Sequence, residues 1–166
     1  MTSLAPKMTT RAGQRRLLQR LAAARAHYDT IIATNPEAAE AGDNCVWHDN
    51  FAYEENQRKM HSAARTIHDL RTLVSQVQVV PLPPRIERVG LGVCVKVERS
   101  DTGAVETWTI AGIEDGDLDA GRVSYTAPFA RALLGAEKGD TRVIVSENKR
   151  YEVTVLSLQS DPEEST

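Results

Sequence analysis

Between Arg11 and Thr34 the apolar residues Leu17, Leu21, Ala24, Tyr28 and Ile31 recur at spacings of 4, 3, 4 and 3. That rhythm places them on one stripe of an α-helix. Ala22, Ala23 and Ala26 favour helix, and the arginines between them suit a solvent-facing side. Asn35-Pro36 ends the run, because proline disfavours helical geometry at the residue before it. Asn35 can then cap a short new turn, with Pro36 at its first position, Glu37 beside its positive end and Gly42 closing it. A second stripe, Met60, Ala63, Ile67, Leu70, Val74 and Val77, has spacings of 3, 4, 3, 4 and 3 and predicts a helix from about Asn50 to Gln78. Two helices with narrow apolar stripes and a short irregular join predict an antiparallel coiled-coil hairpin over residues 1–80. At about 1.5 Å per residue its arms would be roughly 35–45 Å long.

Pro81-Leu82-Pro83-Pro84 is a stiff, extended joint over 81–84, and beyond it the period changes. Leu91–Val97 reads as a strand, Asp101-Thr102-Gly103 as a turn, and Val105–Ile110 as the alternating return strand. Asp119-Ala120-Gly121 precedes a short strand, Arg122–Tyr125. Pro128–Gly135 has proline in front and glycine behind, which predicts a short helix. Lys138-Gly139-Asp140 turns into a strand at Thr141–Val145, and Lys149–Leu158 is the last. The expected class is α+β: the hairpin, then a small, mainly antiparallel β domain over 85–158 with one short helix. Residues 159–166 are expected to be a disordered acidic tail.

Composition narrows the function. No run of about 18 apolar residues exists in the sequence, so no helix is expected to span a membrane. The opening MTSLAPKMTT lacks the apolar core of a secretory signal, and Cys45 and Cys94 are far apart; both fit a cytoplasmic chain with reduced thiols. A net charge of −3 and a pI near 5.8 argue against direct duplex binding, so nucleic acid is expected only through a larger complex. The average hides a segregation. Residues 1–27 hold six Lys/Arg and no acid, residues 28–57 hold seven acids and no Lys/Arg, and residues 58–80 return to positive. On a hairpin this gives a basic stem and an acidic far end. Charge runs are often no more than solvated faces, but ordinary solvation mixes signs.

The ordered run Asp101-Thr102-Gly103, Trp108-Thr109-Ile110, Asp119-Ala120-Gly121-Arg122-Val123-Ser124, Pro128–Gly135 and Lys138-Gly139-Asp140 resembles the carboxy-terminal domain of the Gre family of transcription elongation factors. Met8-Thr9, Gly13, Leu17 and Leu21 are similar to the start of that family's first helix. The resemblance implies an antiparallel coiled coil joined to an FKBP-like β domain. It further implies that the β domain docks on the secondary-channel rim of bacterial RNA polymerase. The coiled coil would then carry acidic tip residues towards the catalytic magnesium. The docking loop would lie at Pro128, Phe129 and Arg131, with Ala127 where the family has serine.

The family's tip reads close to G-D-x-S-E-N-x-x-Y. Here Gly42-Asp43 matches its start, and Asp49-Asn50 with Tyr53 matches its end. Three extra residues intervene, so Asp43 and Asp49 are six apart rather than three. The tip candidates are therefore Asp43, Asp49 and Glu54, supported by Asn50, Tyr53 and Trp47. Asp43 and Asp49 would share a Mg²⁺ with the polymerase, and no cofactor of the chain's own is expected. Asp49 equally suits a helix N-cap and Asp43 a turn acid, and Trp47 can pack the tip internally.

The expected function is a monomeric, polymerase-binding regulator, not itself an enzyme. The altered tip spacing tilts it towards inhibition rather than stimulated transcript cleavage. A peptidyl-prolyl isomerase or chaperone, by fold analogy, and a coiled-coil adaptor are the alternatives.

Overall fold

Thr10 ends an extended segment and caps the first helix: the Gly13 N–H donates to Thr10 Oγ1 at 3.0 Å. In the computed structural model, which describes residues 6–34, 50–146 and 149–165, helix α1 spans Arg11–Ala33 and helix α2 spans Asn50–Gln76. The chain divides into two units, Leu17–Gln76 and Met1–Arg16 with Val77–Thr166.

The helical unit follows its sequence stripes. Leu17, Leu21 and Ile31 of α1 are buried, as are Ala63, Leu70 and Leu73 of α2. Ala24, Tyr28, Met60, Ile67 and Val74 are half-buried along the same stripes. Open grooves flank the seam, one lined by Arg25, Tyr28 and Asp29 with Ile67, His68 and Arg71.

The second helix stops two residues before its expected end. Val77–Val79 forms a strand, β2, paired in parallel with β1, Lys7–Thr9. Val77 fits the helical rhythm, but the β-branched Val77, Val79 and Val80 favour extended backbone when a partner strand is present. The Val80 N–H extends this pairing to the Thr9 carbonyl at 2.9 Å. Residues 6–16 thus group with the β domain, and not with the hairpin to which the 1–80 boundary assigned them.

The main sheet contains β3 (Val93–Arg99), β4 (Val105–Ala111), β5 (Arg122–Ser124), β6 (Thr141–Ser146) and β7 (Lys149–Ser160), in the order β5-β4-β3-β7-β6. Its pairs are antiparallel except β4 with β5, so the sheet is mixed. Along β3 the alternation is plain: Val93, Val95 and Val97 are buried, while Lys96 and Glu98 are exposed. Helix α3, Pro128–Leu133, lays Ala130 and Leu133 on the core with Ile110, Val123, Ile144, Val153 and Val155.

The tail departs from the expected disorder. Strand β7 runs on to Ser160, Asp161 is buried, and Pro162–Ser165 forms a 3₁₀ turn. Its acidic composition suggested solvation, but its carboxylates find cationic and amide partners at the start of α1.

Candidate functional site

Of the tip candidates, Asp43, Trp47 and Asp49 lie outside the described residues. Asn50 and Tyr53 belong to the helical backbone at the start of α2. Glu54 is exposed one turn before Arg58, with Oε2 and Nη2 3.9 Å apart, and Glu55 stands 3.6 Å from Lys59. Such exposed i,i+4 pairs hold side chains loosely and contribute about 0.3–0.5 kcal/mol each. Glu54 is therefore an acid with a cation at hand, not an isolated negative charge. His61 and His68 are both exposed on α2. Among the described residues no group of three or more His, Cys, Asp or Glu could hold a metal ion.

The second candidate region is α3. Pro128 occupies its first turn, where the missing N–H costs nothing, and Ala127 before it supplies no side-chain cap. Burial of Ala130 and Leu133 fixes which side faces out: Pro128, Arg131 and Leu134 are exposed. The candidate docking residues divide on this point. Phe129 is half-buried and packs edge-on against Trp108, with ring centroids 5.9 Å apart at 63°. It holds the helix to the sheet, leaving Pro128 and Arg131 as the accessible members.

The four aromatics of the β domain are all committed to internal contacts. Trp108 meets Phe129 and donates its indole N–H to Glu106 at 2.9 Å. The Arg99 guanidinium lies over the Tyr151 ring, 4.2 Å from its centroid. Tyr125 Oη accepts the Met8 N–H at 3.2 Å.

A third cluster was missed by sequence reasoning. Arg16, near the start of α1, makes a two-pronged pair with Asp115, Nε to Oδ1 at 2.7 Å and Nη2 to Oδ2 at 2.6 Å. It also pairs with Glu163. The hydrogen bonds to Asp115 raise the guanidinium's affinity for its proton, opposed by burial. Around it, Gly13 and Gly112 pack tightly on buried Thr9. A Cβ on Gly112 would come within 2.7 Å of Thr9 Cα. The Thr10 cap before Arg11 was the one local signal of this root; its partners are about a hundred residues or more away in sequence.

Part of the chain matches a known family domain. The carboxy-terminal domain described as "Transcription elongation factor, GreA/GreB, C-term" matches residues 83–160. That segment contains β3–β7 and α3, and it stops before the 3₁₀ turn. The chain is 31% identical over 145 residues to transcription elongation factor GreA of Rhizobium leguminosarum bv. trifolii, covering 86% of this chain and 81% of the relative. It is 28% identical over 147 residues to GreA of Nitratidesulfovibrio vulgaris, covering 88% and 90%. Among solved structures, GreA factor homolog 1 of Thermus thermophilus aligns at 22% identity with a TM-score of 0.41, covering 94% and 100%.

Proposed function

Because the chain belongs to the GreA/GreB family of transcription elongation factors, we propose that it binds bacterial RNA polymerase and regulates elongation through the secondary channel. The observation that carries this reading is the coincidence of the family segment 83–160 with the five-stranded sheet and α3. That segment has its own closed core and presents Pro128 and Arg131 outward. In this reading the β domain is the dock on the channel rim, and Arg131 faces polymerase acids. The helical pair is the arm, and the acid-rich stretch 28–57 is delivered to the catalytic centre.

Asp43 and Asp49 would supply hard carboxylate oxygens to a Mg²⁺ that the polymerase also holds. Their separation of six residues, and the shorter side chain of Asp49 where the family has Glu, alter the placement of those oxygens. An ångström of misplacement can cost about a hundredfold in rate. The favoured action is therefore channel occupancy that slows elongation, with weak transcript cleavage. Efficient cleavage is the second reading, favoured by the match of Asp49-Asn50 and Tyr53 to the family's tip.

Purified polymerase halted in a backtracked complex separates them. The expected result is slower extension at limiting nucleotide and little RNA cleavage. Strong cleavage that disappears in Asp43→Ala or Asp49→Ala overturns the inhibitory version. An isolated, folded chain that neither binds polymerase nor changes either rate overturns the proposal as a whole.

A further inference from the structure

Residues 161–165 lie beyond the segment matched by the family's domain, yet they are built into the fold. The Asp161 N–H donates to the Gly92 carbonyl at 3.0 Å, which anchors the turn to the sheet. Asp161 then closes the turn on itself: Oδ1 accepts the Glu163 N–H at 3.1 Å, and its carbonyl accepts the Glu164 N–H at 3.0 Å. From that base, Glu164 Oε1 accepts the Ala12 N–H at 2.9 Å. This amide is one of the four at a helix start that have no partner inside the helix. Its neighbour, the Gly13 N–H, is already taken by Thr10 Oγ1. The Glu163 carboxylate pairs with Arg16, and its backbone carbonyl accepts from Arg15.

We propose that the carboxy-terminal turn is a strap that closes over the root of α1 and can open on its own while the sheet stays folded. Three features of its construction support this. Its attachments are hydrogen bonds and ion pairs, and Pro162 and Glu163 are exposed. Its negative groups face the positive end of α1 and Arg16, an attraction that salt weakens. The deeper hold on Arg16 comes from Asp115, which lies outside the strap and is itself buried, so the pair remains when the strap lifts. Segments held by few buried apolar groups and exposed hydrogen bonds open at low cost, independently of the core. The strap thus adds a salt-sensitive fastening to a domain whose sheet is complete without it.

The test is amide hydrogen exchange on the full chain, on Glu164→Ala and on a chain ending at Ser160, at low and high ionic strength. A hydrogen bond to a charged group predicts that Glu164→Ala speeds exchange at Ala12 by about tenfold or more. The shortened chain should do at least as much. Salt should speed Ala12 exchange in the full chain and have little further effect in the shortened one. Amides of Val95 and Val97 should exchange at unchanged rates. Unaltered Ala12 exchange in Glu164→Ala overturns the proposal. So does acceleration of Val95 and Val97 in step with Ala12, which would make the strap part of the sheet's own cooperative unit. If the shortened chain does not fold, the second outcome holds and the proposal fails.

Discussion

Val95, Val97, Ile110, Leu133 and Val153 of the β domain are fully buried, whereas in the helical unit Leu17 and Leu73 come close, at 1% and 4%, and Leu21, Ile31, Ala63 and Leu70 each keep 7% or 8% of their surface. The difference is geometric. A sheet covered by a helix encloses side chains from all sides, while two helices share one seam. The β domain can therefore display Pro128 and Arg131 without depending on them for stability. The helical unit commits few residues to its seam and leaves most of its surface to charge. One region is built to hold its shape, and the other to present a surface.

The largest expected effect tests that contrast directly. Leu133→Ala should lower unfolding stability by about 2–5 kcal/mol, and Leu70→Ala should fall at the lower end of that range or below it. Equal losses in denaturant titrations would remove the distinction between the two cores. Next is Gly112→Ala, whose new methyl meets the Thr9 backbone and should cost about 1–3 kcal/mol. Gly90→Ala is its control, because a Cβ there meets only Val93 at 4.0 Å. Similar melting temperatures for the two variants would show that the packing of Gly112 on Thr9 is not tight.

Asp161→Asn probes the strap's base. Burial raises the Asp161 carboxyl above its ordinary value, opposed by the Glu163 backbone N–H and by Arg16, with Glu163 and Glu164 adding to the rise. A raised folded value means that the fold prefers the protonated acid. The ionised form costs stability at neutral pH, and that cost fades as pH falls through the raised value. Asparagine keeps an oxygen for the Glu163 N–H, so this variant should melt higher than the wild type near neutrality. The advantage should vanish in acid. A lower melting temperature at neutral pH contradicts this. The smallest effect is Glu55→Gln on α2, where loss of the exposed pair with Lys59 should cost about 0.3–0.5 kcal/mol.

Periodicity revealed the two stripes and the strand alternation from Val93 onward, and flanking proline and glycine revealed the Pro128–Gly135 helix, because each is a local pattern. It did not reveal the β1–β2 ribbon, since Val77 satisfies the helical rhythm and the competing partner, Lys7–Thr9, lies at the other end of the region. The strap escaped for a related reason. Acidic composition predicts solvation unless cations are known to be near, and Arg16 is 147 residues from Glu163. At the candidate dock, the family resemblance picked out Phe129, but only three-dimensional packing shows its ring turned to Trp108 while Pro128 and Arg131 are exposed.

The most direct test of the docking claim is the affinity of the full chain for purified RNA polymerase, wild type against Arg131→Glu. Arg131 is exposed, so the substitution should leave the melting temperature unchanged. The account predicts that it weakens binding by about tenfold or more, equivalent to about 1.4 kcal/mol. Undiminished affinity in a folded Arg131→Glu chain would contradict the assignment of α3 as the dock.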